Sequence, residues 1–204
     1  MQAFLPILFA SLVGVGHAFE ADHLLAISHI VSKRNSVLLA AKDGLFWGLG
    51  HTTTIVVVGA VIILSRATFL TSGYFEAVVG AMLIIMGVSR LANKGNFTKT
   101  TRYVTPGRYQ HGLAYTLGLV HGLAGSGALV LLVMSEMSDA LLSITYLLVF
   151  GIGSVIGMLL AAGLLSIPFT RRMKISRVFR TIIVLISSVV CILYGGWMVY
   201  DVVG

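Results

Sequence analysis

The sequence predicts an all-α, polytopic membrane protein with six transmembrane helices, arranged as two inverted three-helix repeats with both termini on the non-cytoplasmic side. Three observations carry that reading. The chain of 204 residues is 57% hydrophobic and only 10% charged, with a mean hydropathy of +0.99, whereas soluble domains hold roughly 25% charged residues. Six apolar runs reach the ~20 residues that a helix needs to cross the hydrocarbon layer. The basic residues fall on alternate connections between those runs.

Taken in order, the runs lie near Ala3–Ile30, Val37–Leu64, Tyr74–Leu91, Tyr109–Met134, Ala140–Ile167 and Val178–Tyr200. The first lacks a basic n-region and an A-x-A-like cleavage site, so it reads as a retained span and not as a signal peptide. Lys33, Arg34 and Lys42 follow it. Arg90, Lys94, Lys99, Arg102 and Arg108 surround the connection after the third run, and Arg171, Arg172, Lys174, Arg177 and Arg180 follow the fifth. Of the 14 basic residues only Arg66 falls on the other side, with Glu76, Glu136, Asp139 and Asp201. The positive-inside rule then sets the orientation in a multi-pass cell membrane. Residues 1–204 form one transmembrane domain, with repeat 1 over about 1–92, a cytoplasmic loop over about 93–108 and repeat 2 over about 109–204. No polar stretch is long enough for a soluble domain. The net charge of +7 sits in short clusters between apolar runs, a pattern of topology and not of nucleic-acid binding. A single cysteine, Cys191, rules out an intramolecular disulfide.

The repeat rests on two matches. Gly14-Val15-Gly16-His17 pairs with Gly118-Leu119-Val120-His121, and Trp47-Gly48-Leu49-Gly50-His51 pairs with Phe150-Gly151-Ile152-Gly153-Ser154, at offsets of 104 and 103 residues. Three helices per half force the halves to be inverted, an arrangement that transporters use around a site near the midplane.

The chemistry concentrates in the first run. Gly16-His17-Ala18-Phe19-Glu20-Ala21-Asp22-His23 puts two imidazoles and two carboxylates at bilayer depth, where an Asp costs on the order of 2.5–3.5 kcal/mol. On a regular helix His17, Glu20 and His23 share a stripe, while Asp22 projects about 140° away from His17. Either Asp22 orients an imidazole through its other nitrogen, or the helix opens locally, which Gly14 and Gly16 would ease. His51, within Gly48-Leu49-Gly50-His51-Thr52-Thr53-Thr54, and His121, ahead of Gly122-Leu123-Ala124-Gly125-Ser126-Gly127, are placed to meet that stripe. His29 and His111 read as interfacial. Imidazole with carboxylate and no thiolate suits nickel or cobalt, with zinc left open, and disfavours copper(I), magnesium and calcium. The candidate metal residues are His17, Asp22, His23 and His51, with Glu20, His121 and Ser126 as further ligands or supports. No prosthetic group is expected.

These residues resemble a known family. His17 to His23 has the H-x4-D-H pattern of the nickel/cobalt transporters, and Leu49-Gly50-His51-Thr52-Thr53-Thr54-Ile55 is similar to that family's second motif. Val120 to Gly127, V-H-G-L-A-G-S-G, resembles the compact urease-accessory-type permeases of the same superfamily. The resemblance implies transport of Ni²⁺ or Co²⁺ with His17, Asp22, His23 and His51 handling the metal. It leaves a homo-oligomer or a link to nickel-enzyme maturation as partners beyond the ion and the bilayer. It departs from the classical members in having six spans, not eight, and no histidine-rich loop. The expected activity is uptake of the ion, with export as the alternative. From other classes come a rhomboid-like serine hydrolase built on Ser126 and a metal sensor without transport. Against the hydrolase, Ala124 replaces the first glycine of G-x-S-G, the last run holds no histidine, and H-E-x-x-H is absent. The second half keeps His121 but has Ser126 and Gly127 where Asp22 and His23 would fall, so a site held mainly by the first two spans is expected.

Overall fold

The computed structural model describes residues 4–32, 34–65, 74–92, 107–136, 139–170 and 177–203, apart from the side chains of 4–7, 107–108, 125–136, 177 and 180. These residues are helical apart from short connections, in the order α1 (Phe4–His17), α2 (Ala21–Val31), α3 (Val37–Ser65), α4 (Tyr74–Ala92), α5 (Gly107–Glu136), α6 (Ala140–Ser166) and α7 (Arg177–Val203), with a 3-10 turn, Ile167–Phe169, ending α6. Among the described residues four helices are long and apolar enough to cross a membrane: α3, α4, α6 with its 3-10 extension, and α7 from Thr181. Helix α5 has 30 residues, about 45 Å at 1.5 Å per residue.

The first expected span is not one helix. It divides into α1, of 14 residues, and α2, of 11. Helix α1 ends in tight turns, Phe19 N–H donating to Gly16 O (2.9 Å) and Glu20 N–H to His17 O (3.1 Å). Glu20 then takes an extended conformation (φ −64°, ψ 156°), and its carbonyl accepts from Leu24 N–H to start α2. The opening falls directly after His17 and not at Gly14 or Gly16. It corrects the continuous stripe of His17, Glu20 and His23, because two helices with different axes carry these residues.

Helix α3 is the centre of the bundle, packed against both α5 and α6, while α1 lies on α6 and α4 on α7. Glycines set how closely the axes approach. A Cβ on Gly50 would stand 2.1 Å from Tyr115 O, and one on Gly118 would stand 2.1 Å from Trp47 O, so α3 and α5 meet backbone to backbone. The same contact recurs between α1 and α6, where a Cβ on Gly14 would be 2.1 Å from Phe150 O and one on Gly153 would be 2.2 Å from Ser11 O. Small residues allow such contact where lipid supplies no hydrophobic drive for helix association. The threonines after His51 fasten the crossing. Thr52 Oγ1 donates to Gly151 O of α6 (3.0 Å) and Thr54 Oγ1 to Leu119 O of α5 (2.9 Å). His51 is thus held between two helices by its own neighbours.

Candidate metal centre

The break between α1 and α2 lets four imidazoles converge. His17 closes α1, His23 lies in the first turn of α2, His51 sits midway along α3 and His121 on α5. The ring centroids of His17 and His23 are 4.4 Å apart, those of His23 and His51 5.1 Å, and those of His23 and His121 4.3 Å. His51 is fully buried, and His23 and His121 are each 1% exposed.

Carboxylates fix the outer nitrogens. Glu20 Oε1 lies 2.8 Å from His17 Nδ1, and Asp22 Oδ1 lies 2.9 Å from both the Nδ1 and the backbone nitrogen of His23. Asp22 Oδ2 lies 2.9 Å from His121 Nε2. An ionised carboxylate only accepts, so each imidazole donates that proton and keeps its lone pair on the other nitrogen. Those other nitrogens, His17 Nε2, His23 Nε2 and His121 Nδ1, are buried without a hydrogen-bond partner among the described residues, as are both nitrogens of His51. Buried polar atoms are seldom left in that state. One donor atom from each of His17, His23 and His51 falls within 4.8 Å of the others, and the same holds for Asp22, His23 and His121. Donors bonded at about 2.1 Å to one ion stand ~3–4 Å apart, close to the spacing found in either set. His23 belongs to both.

The structure brings together His17, Asp22, His23 and His51, and it adds His121 to them through Asp22. The centre therefore also draws on α5. Glu20 does not converge with the other groups; its carboxylate, 57% exposed, grips His17 from the accessible side. Ser126 lies outside the described side chains. His29 is buried among the helices.

Sequence reasoning overlooked a second charged cluster. Asp43 on α3 is completely buried and pairs with Arg34, which donates to both carboxylate oxygens through Nε and through a terminal nitrogen, the latter at 2.7 Å. His111 Nδ1 of α5 lies 2.7 Å from Asp43 Oδ1. The signal was an acid inside an apolar helix, but Arg34 had been absorbed into the charge count of the topology. Both oxygens of Asp43 are engaged, so this cluster joins helices and leaves no room for an ion. Removing one partner of such a pair strands a buried charge at a cost of about 3–5 kcal/mol. Arg34→Met should therefore lower the unfolding midpoint in detergent markedly. His111→Ala should lower it less, because Arg34 remains on the carboxylate.

Long apolar helices packed around a buried histidine–carboxylate cluster define the class of a helical membrane protein. Comparison with known proteins then narrows the class. The chain is 36% identical over 200 residues, 89% of its length and 86% of the other's, to the urease accessory protein UreH of Bacillus sp. (strain TB-90). The chain belongs to the UreH family, a family of accessory proteins and not of enzymes. No family model and no solved structure matches it.

Proposed function

We propose that the chain is a six-span secondary permease of the cell membrane that takes up a divalent transition-metal ion, nickel in preference to cobalt. The observation that carries this reading is the set of buried imidazole lone pairs on His17, His23 and His51, each of the first two with a carboxylate on its opposite nitrogen. Carboxylate–imidazole pairs raise ligand basicity and fix ring orientation around metals. The preference for nickel follows from the urease-accessory relative. In this reading Glu20 draws the hydrated ion from the accessible side, His17, His23 and His51 replace its water, and Asp22 and His121 offer a second position reached by a turn of His23. The matched glycine contacts of α1 with α6 and α3 with α5 support two inverted repeats, since Gly14 and Gly118, and Gly50 and Gly153, stand at the offsets of 104 and 103. Orientation follows the basic connections, with both termini outside.

The test is Ni²⁺ entry into proteoliposomes holding a trapped metal-sensitive dye. Saturable entry, absent from protein-free liposomes, is expected. Tight binding without entry would instead identify a sensor. Protons compete with the metal for imidazole. Acidifying the medium should therefore weaken Ni²⁺ binding, and titration calorimetry at several pH values measures it.

A further inference from the structure

Two aromatic rings lie against the centre at corresponding places in the two halves. Trp47 of α3 packs edge-on to His121, centroids 5.5 Å apart, and Phe150 of α6 lies 5.4 Å from His17. His17 and His121 are matched at an offset of 104 residues, and Trp47 and Phe150 at 103. Both rings are buried, at 0% and 1% exposure. Each also hangs from a helix crossing. Trp47 O is the atom on which Gly118 packs, and Phe150 O is the atom on which Gly14 packs.

The rings face opposite ways along α3. Trp47 belongs to an apolar cluster with Ala40, Ala26 and Met158, which on α3 precedes His51. Phe150 belongs to a separate cluster with Ile55, Ile62 and Leu147, which on α3 follows His51. Along α3 the clusters that hold the two rings therefore lie on opposite sides of His51. The Arg34–Asp43–His111 cluster lies one turn beyond Trp47, about 6 Å along the axis. An ion cannot pass a backbone crossing, so its way out is past a ring that turns about its own side-chain bonds.

Resting on the transport reading, we propose that Trp47 and Phe150 are the two gates of the pathway, each closing the metal centre toward one membrane face. The rings exclude water and ions as apolar constrictions do in channels, and alternating access needs them to open one at a time.

The full chain in proteoliposomes decides this, with Cys191→Ser removing the native thiol and His51→Cys placing a reporter between the rings. A membrane-impermeant thiol reagent is applied from each face in turn. Phe150→Ala should raise labelling by about tenfold from one face only, and Trp47→Ala by a similar factor from the other face only. The double variant should label from both. Phe150→Leu and Trp47→Leu, which keep apolar volume, should show the same sidedness in weaker form and serve if an alanine variant does not fold. Labelling unchanged by either substitution, or raised at the same face by both, overturns the proposal. Failure of the parent chain to admit Ni²⁺ would defeat the transport reading, and the sidedness of labelling would still decide whether the rings are gates.

Discussion

His23→Ala should abolish measurable Ni²⁺ binding and Ni²⁺ entry while leaving the protein folded in the membrane. His23 is the one residue shared by the His17–His23–His51 set and the Asp22–His23–His121 set, so its loss dismantles both. Changing a residue that only supports a ligand typically costs 10–100-fold in metal affinity, so loss of the shared ligand should exceed about 100-fold. Asp22→Asn should fall within that 10–100-fold range, since the amide still reaches both imidazoles but no longer enforces their tautomers. Calorimetry on purified protein separates the two variants. Parent-like binding by His23→Ala would refute the assignment of the centre.

Gly118→Val should prevent assembly of the bundle. Its Cβ would meet Trp47 O at 2.1 Å and His51 N at 3.0 Å, both backbone atoms of a fixed helix. Overpacking against movable side chains costs roughly 1–3 kcal/mol. Here no side chain can yield, so α3 and α5 must part and the histidine centre parts with them. Gly50→Val, opposed by Tyr115 O at 2.1 Å, should fail alike. Gly196→Ala, with nothing within 4 Å of the added carbon, should be tolerated or slightly stabilising. Size-exclusion profiles of the detergent-extracted variants check the contrast, and a monodisperse Gly118→Val would contradict it.

Much of this was legible in the chain because lipid imposes a simple code. Runs of apolar residues must be helices, so the position of each long helix followed from composition alone. The candidate residues His17, Asp22, His23 and His51 could be named because ionisable groups within apolar runs are rare. What composition could not convey was direction. A helix drawn without interruption sends Asp22 away from His17, and only the break at Ala18–Glu20 turns it toward His121. An opening eased by Gly14 and Gly16 was one of two alternatives the sequence offered, but its place, at Ala18–Glu20 beyond both glycines, was not legible. Arg34, Asp43 and His111 escaped notice because their pairing spans 9 and 68 residues of sequence, and nothing local joins them. Thr52 and Thr54 stood in a recognisable motif, but their fastening of α3 to α6 and α5 depends on helix neighbours that sequence spacing does not specify.

Asp43 is shared between two partners on different elements, and the two are not equivalent. Arg34 lies just before α3, on the same stretch of chain as Asp43, whereas His111 belongs to α5. Were α3 and α5 to part, the imidazole would leave and the guanidinium would stay. The carboxylate would then remain one half of a neutral ion pair and would not face hydrocarbon as a bare charge. Asp43 thus has a counterion on its own stretch of chain, whatever becomes of its neighbour on the far helix.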